Sequence, residues 1–196
     1  MMTHHLVIFA RTPQVGRVKR RLSREIGMLA ATRFYRAMLG QTLRSLTADR
    51  RWRVWLFVTP DDSLAHPVWR GRRCRPQGRG DLGQRMRRPF DILPPGPVVL
   101  VGSDIPAMRP HHIARAFALL ARHDLVFGPA SDGGYWLIGA RRRRALTHTL
   151  FAGVRWSTPH ALADTLATMP AGYSVGLADM LDDIDDAADL RRLRAG

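Results

Sequence analysis

Val98-Val99-Leu100-Val101-Gly102-Ser103-Asp104-Ile105-Pro106 decides how the chain is read. Four consecutive branched aliphatic residues make a strand covered on both faces, the kind found in parallel sheets with helices on each side. Pro106 has no N–H for a strand ladder and stops the run. Asp104 is left just beyond the carboxyl end of the strand, where open α/β sheets place their ligands. A carboxylate there can hold Mg²⁺, which in turn bridges phosphate oxygens. Asp is also a favoured turn and helix-capping residue, so the position alone supports both readings.

Outward from this strand, apolar runs alternate with helical patterns, which predicts an α/β fold. Further strands are expected at His5–Ala10, Arg53–Thr59, near Arg72–Arg75, and at Leu125–Pro129, Tyr135–Gly139 and Tyr173–Leu177. Helices are expected from about Val18 to Ile26, over Leu29–Leu46 and Leu82–Phe90, from about His111 to Arg122, and over Pro159–Leu166 and Ala187–Leu193. There is no repeat, low-complexity tract or dividing linker. The 196 residues are read as a single domain, 1–196, long enough to bury a core without staples.

Composition narrows the classes. With 45% hydrophobic residues the chain is not mainly disordered, and its single cysteine excludes an intramolecular disulfide framework or a multi-thiolate zinc site. No apolar run approaches the about 20 residues of a membrane span. The start, Met1-Met2-Thr3-His4-His5 before Leu6-Val7-Ile8-Phe9, lacks the basic segment and apolar length of a signal peptide. The expectation is a soluble cytoplasmic protein. Net charge is +15, and residues 1–100 carry 20 basic and 6 acidic side chains, against 11 and 10 in the remainder. The basic half favours an anionic ligand: a polyanion broadly, a nucleotide's phosphates narrowly. No known nucleic-acid module is present, which argues against a nucleic-acid partner. Of the 31 basic residues 30 are Arg and there is no Asn, a skew that a GC-rich coding background produces without function.

Three segments could carry chemistry. Phe9-Ala10-Arg11-Thr12-Pro13-Gln14-Val15-Gly16-Arg17-Val18-Lys19 joins the first strand to a helix. Exposed backbone N–H groups there suit phosphate oxygens, Gly16 permits close approach, and Arg11, Arg17 and Lys19 add charge. It is neither a Walker loop nor a Rossmann glycine triplet. Lys19 is the only lysine, and a compact ammonium meets a phosphate differently from a planar guanidinium. The second segment is the Asp104 turn. The third is Gly128-Pro129-Ala130-Ser131-Asp132-Gly133-Gly134-Tyr135-Trp136, whose Asp-Gly-Gly reads either as a hairpin turn or as a backbone that approaches a sugar or phosphate beside Asp132. Late in the chain, Asp182, Asp183, Asp185, Asp186 and Asp189 crowd one turn and helix start. Helix capping explains such a cluster, and a second carboxylate beside Asp104 is the alternative. The histidines show no metal-ligand spacing.

These segments stand in one order: Phe-Ala-x-x-Pro-x-x-Gly-x-Val-Lys-x-Arg-Leu; Gln77-Gly78-Arg79-Gly80-Asp81-Leu82-Gly83-Gln84-Arg85-Met86; Gly102-Ser103-Asp104-Ile105-Pro106; Phe127 through Gly139; Trp156-Ser157-Thr158; and Asp183 through Leu190. The series resembles the GT-A-fold family named rSAM/selenodomain-associated transferase, also described as nucleotide-diphospho-sugar transferases or glycosyltransferases. It is more distantly similar to phospholactate and molybdenum-cofactor guanylyltransferases. The resemblance runs from about residue 5 to residue 192. It implies a three-layer α/β/α sandwich with a mostly parallel mixed sheet and a site using Mg²⁺ or Mn²⁺. It further implies nucleotide contacts at Ala10, Arg11, Gly16, Arg17, Lys19, Gln77, Gly78, Asp81 and Ser103. Asp104 matches the metal-binding aspartate, with Asp185 as second ligand and Asp183 behind it. Asp132, Gly133, Gly134 and Trp156 would face the sugar or acceptor, and Lys19, Asp104 and Asp132 would be catalytic. Where the family commonly has Lys-Thr-Arg, this chain has Lys19-Arg20-Arg21, so any hydroxyl-to-phosphate contact there is lost.

The function expected is transfer from a nucleotide or nucleotide-sugar donor to a small-molecule acceptor. Two chemistries fit: glycosyl transfer, in which a nucleoside diphosphate leaves, and nucleotidyl transfer, in which pyrophosphate leaves. A nucleotide- or polyanion-binding protein without catalysis is the reading from another class.

Overall fold

A computed structural model describes residues 2–195, the side chains of 194 and 195 set aside. The expected domain span ends on Met1 and Gly196, which lie outside the described residues. Strands β1 (His5–Arg11), β2 (Arg53–Thr59), β3 (Cys74–Pro76), β4 (Val98–Gly102), β5 (Leu125–Pro129), β6 (Tyr135–Ala140) and β7 (Val175–Leu177) form one sheet, ordered β3-β2-β1-β4-β6-β5-β7. All neighbouring pairs are parallel except those made by β6, which runs antiparallel to β4 and β5. The helices are α1 (Arg20–Ile26), α2 (Met28–Thr47), α3 (Leu82–Ile92), α4 (Pro110–Leu120), α5 (Ala161–Ala167) and α6 (Ala187–Ala195). None is long and apolar enough to cross a membrane.

The strand alternation sorts the layers. Leu6, Ile8 and Ala10 of β1 and Val99 and Val101 of β4 pack against Leu39, Leu43 and Leu46 of α2 and Ile113 and Phe117 of α4. Val7, Val98 and Leu100 face the opposite way, onto Met86 and Phe90 of α3, with Leu162 and Leu166 of α5 at the edge of that layer. A smaller cluster ties Leu22 of α1 to Ala31 of α2 and to Ile184, Ala187 and Leu190. This is an α/β/α sandwich on a mostly parallel mixed sheet.

The element boundaries differ from expectation where local geometry intervenes. Helix α1 starts at Arg20, not Val18, because Lys19 has left-handed backbone (φ 45°, ψ 54°) and Val18 is buried in the core. Strand β3 begins at Cys74, since the Arg72 N–H closes a turn onto the Trp69 carbonyl at 3.1 Å. Strand β7 begins at Val175, because the Ser174 N–H goes to Asp124 instead of a strand partner. Two short 3₁₀ turns, Asp61–Ser63 and Pro67–Trp69, were not anticipated. They bring buried Trp69 under the first loop, where its indole N–H donates to Thr12 Oγ1 at 3.2 Å.

The sheet order has a consequence for the site. The chain leaves β1 toward β2 and β3, then returns to put β4 on β1's other side, in parallel register with Phe9 opposite Gly102. This reversal is a topological switch point, and the loops after β1 and β4 diverge around a crevice there.

Ile113 is fully buried between α4 and the sheet. Replacing it by Ala is expected to lower unfolding free energy by about 2–5 kcal/mol. Urea unfolding checks this, with the midpoint falling and the slope unchanged.

Candidate functional site

The loops at the switch point bring Lys19 and Asp104 into direct contact. Lys19 Nζ lies 2.6 Å from Asp104 Oδ2 and 3.0 Å from Asp185 Oδ1, with the lysine side chain only 5% exposed. Asp185 comes from a strap that crosses the carboxyl ends of the strands. The Ala178 N–H donates to Phe127 O, Leu181 N–H to Pro129 O, and Ile184 N–H to Asp104 O at 3.2 Å. The Leu22 N–H in turn donates to Asp185 O at 3.1 Å, fixing α1 to the same strap.

The late acidic run divides by role. Asp186 and Asp189 cap α6, exchanging backbone N–H bonds, so capping accounts for these two. Asp182 accepts from the Ser131 N–H at 2.7 Å, and Asp179 pairs with Arg115 at 2.9 Å. Asp183 and Asp185 join Asp104, with one carboxylate oxygen from each residue lying within 4.8 Å of the others. Ligand oxygens sit about 2.0–2.6 Å from Mg²⁺ or Ca²⁺, so oxygens around one ion are separated by roughly 3–5 Å. The trio therefore fits a hard divalent cation in spacing and in chemistry.

Electrostatics point the same way. Burial, with the charges of Asp104 and Asp185 added to it, pushes the Asp183 carboxyl up to about 7, and Lys19 offsets this only in part. Burial opposes the Lys19 charge, but Asp104 and Asp185 outweigh that and hold its ammonium above the usual lysine range. Three crowded carboxylates with one buried ammonium leave an excess of negative charge.

A cavity of about 450 Å³ opens beside the trio. Asp104, Asp183 and Asp185 line it together with Asp132, Gly134, Tyr135 and Trp156, and Leu82 and Met86 of α3 contribute apolar surface. Asp132 Oδ1 accepts from the Gly134 N–H at 2.8 Å, which shapes the turn between β5 and β6. Gly133 has φ +82°, and a Cβ there would stand 2.1 Å from the Pro159 carbonyl oxygen. The glycine thus lets the turn lie against the segment that presents Trp156, Ser157 and Thr158. Trp156 is seated on Gly83 of α3, where a Cβ would meet its ring at 2.8 Å.

The expected nucleotide contacts gather elsewhere, and none of Ala10, Arg11, Gly16, Arg17, Gln77, Gly78, Asp81 and Ser103 is among the described residues lining this cavity. Arg11 ends β1 and Gln77 follows β3, on the far side of β1 from the cavity. Gln77 is buried; its amide donates to Phe57 O at 3.0 Å and Ala10 O at 3.4 Å, and its oxygen accepts from Arg85 at 3.0 Å. Gly78 N–H donates to Asp61, and Asp81 caps α3 in a reciprocal box with Gln84. Ser103 is buried, 3.1 Å from the Tyr35 hydroxyl, which also donates to Arg11 O. Gly16 and exposed Arg17 lie in the turn closed by Arg17 N–H to Gln14 O at 3.1 Å. Lys19 was expected to reach phosphates, yet here it is spent on carboxylates. Sequence reasoning missed Arg21, which lines the cavity mouth 3.7 Å from Asp185, and it missed Tyr35. In the sequence, Arg21 is one arginine among 30 and Tyr35 one of several residues on an apolar helix face.

Residues 42–158 match the model of a family described as an uncharacterized protein conserved in bacteria, DUF2064, and the chain belongs to that family. Among curated proteins none matches the sequence. A solved structure from Desulfovibrio desulfuricans G20, provisionally named a nucleotide-diphospho-sugar transferase, is similar at 28% identity. That match covers 98% of this chain and 87% of the other, with a TM-score of 0.84. CMP:2-keto-3-deoxy-manno-octonic acid synthetase, complexed with CTP, is similar at 13% identity over 98% and 97% of the two chains, TM-score 0.61. Glucosyl-3-phosphoglycerate synthase from Mycobacterium tuberculosis, with Mn²⁺, UDP and glucosyl-3-phosphoglycerate, matches at 13% over 97% and 75%, TM-score 0.57. At 13% the likeness is one of fold, and the shared fold is GT-A-like.

The raised Asp183 carboxyl sets a pH dependence. Between its ordinary value of 3.8 and about 7, the folded protein keeps a proton that the unfolded chain has released. Stability therefore falls as pH rises through that window. Asp183→Asn is expected to raise the thermal midpoint over wild type at pH 8 in EDTA, with the two curves converging toward pH 4. Parallel curves across the range would contradict the account.

Proposed function

We propose that the protein is a metal-dependent transferase that uses a nucleotide-activated donor, and specifically a nucleotide-diphospho-sugar glycosyltransferase with a single GT-A-like domain. The observation that carries this reading is the Asp104–Asp183–Asp185 cluster at the switch point, opening onto a cavity also lined by Asp132, Tyr135 and Trp156. The 28% match to a protein provisionally named a nucleotide-diphospho-sugar transferase supports it, as does the resemblance to the rSAM/selenodomain-associated transferases.

In this reading Asp104, Asp183 and Asp185 hold Mg²⁺ or Mn²⁺. The ion, when bound, neutralises the donor's diphosphate and stabilises it as a leaving group. Arg11 and Arg17, on the β1 side, add positive charge near the nucleotide, and Ala10, Gly16, Gln77, Gly78, Asp81 and Ser103 shape that half of the site. Asp132 accepts the proton of the acceptor hydroxyl as its oxygen bonds to the anomeric carbon and the bond from that carbon to the diphosphate breaks. Trp156 and Tyr135, with Leu82 and Met86, cover the sugar and keep water from it. Gly133 and Gly134 let the backbone approach the sugar closely.

The test is a thermal-shift screen of nucleotides and nucleotide-sugars with and without Mn²⁺, followed by product analysis. A ligand that binds only the native form raises the midpoint. We expect one nucleotide-sugar to do so in the presence of Mn²⁺, with slow nucleoside-diphosphate release. Pyrophosphate release from a nucleoside triphosphate would replace glycosyl by nucleotidyl transfer. Asp104→Ala is expected to remove the Mn²⁺ dependence of binding. If nucleotide binding proves indifferent to both Mn²⁺ and this substitution, the protein is a binder and not a transferase.

A further inference from the structure

Lys19 is the single lysine among 31 basic residues, and its ammonium is buried between two of the three carboxylates that make the cation site. Its nitrogen, 2.6 Å from Asp104 Oδ2 and 3.0 Å from Asp185 Oδ1, engages carboxylate groups that a divalent cation would need. A compact ammonium fits this seat as a point charge; a guanidinium is a wider planar fork. The residue also holds left-handed backbone, φ 45° and ψ 54°, which residues with a Cβ seldom adopt. Such conformations persist where the surroundings over-determine them, commonly at functional sites. Arg21 does not share the duty: it is 71% exposed and reaches Asp185 only at 3.7 Å.

We propose that Lys19 is the resident counter-ion of the metal seat, holding Asp104 and Asp185 together in the metal-free protein and leaving their oxygens when a divalent cation takes them. The inference rests on the reading of Asp104, Asp183 and Asp185 as a cation site. It makes Lys19 a positioning residue that competes with the metal. The competition has a consequence for order. Once displaced, the ammonium lacks a partner, and a diphosphate supplies one, so metal and diphosphate each favour the other's binding. Metal alone binds weakly, and metal with a nucleoside diphosphate binds well.

Because Lys19 is the only lysine, labelling lysine with ¹⁵N at Nζ gives one side-chain signal in the untagged protein. Mg²⁺ is titrated into wild type, and occupancy is followed in parallel by calorimetry. The signal is expected to shift or broaden in step with Mg²⁺ occupancy. A signal that stays fixed while Mg²⁺ saturates overturns the proposal. In a second measurement, free Mn²⁺ is counted by electron paramagnetic resonance without nucleotide. Lys19→Met is expected to bind Mn²⁺ about tenfold more tightly than wild type, with the advantage shrinking when UDP is added. Lys19→Gln takes its place if the Met variant does not fold. Equal or weaker Mn²⁺ binding by the variants makes Lys19 a structural brace and sinks the exchange. Absence of Mg²⁺ and Mn²⁺ binding in every form, with or without UDP, removes the cation site itself and with it the proposed function.

Discussion

The ion pair between Lys19 and Asp104, joined by Asp185, ties together three parts of the chain far apart in sequence. It links the loop after β1, the turn after β4 and the strap that follows β7. Removing one partner of a buried pair leaves an uncompensated charge, which is costly. Here the cost is moderated, because Asp104 and Asp185 retain 29% and 48% exposure while Lys19 retains 5%. The lysine is the buried member, and the carboxylates still present oxygens to the cavity. That asymmetry leaves the carboxylates open to the cavity while the pair serves as a structural tie.

The fold places this pair through its strand order. Since β1 and β4 are adjacent and parallel, their carboxyl ends lie side by side, and the residues that follow them must share one crevice. The strap then closes over the same edge through backbone hydrogen bonds to Phe127, Pro129 and Asp104. Backbone bonds do not depend on side-chain identity, so the strap's path is fixed by the sheet, and the side chains at 183 and 185 are free to join Asp104 in the carboxylate cluster. The neighbouring aspartates at 186 and 189 are consumed in capping α6.

Much of this was legible in the sequence. The unbroken aliphatic run of β4 identified the central strand and placed Asp104 at its end, because burial on both faces leaves a pattern with no alternation. β1, β2 and β5 were legible for the same reason. The division of labour among the late aspartates was not, since five similar side chains within eight positions differ only in the tertiary partners they meet. Lys19 stood out by composition, yet its direction depends on a left-handed φ that no residue-type signal announces. The resemblance implies ligand contacts at Gln77 and Ser103. Their polar atoms are engaged with Ala10, Phe57 and Arg85 in one case and Tyr35 in the other, partners that only the packed sheet and helices supply.

The most direct measurement is anomalous diffraction from crystals of the protein soaked in Mn²⁺. A cation seat at the switch point predicts a peak in direct contact with Asp104 and Asp185, and with the Lys19 nitrogen withdrawn from both. Mn²⁺ bound elsewhere, over an intact contact between Lys19 and Asp104, would contradict it.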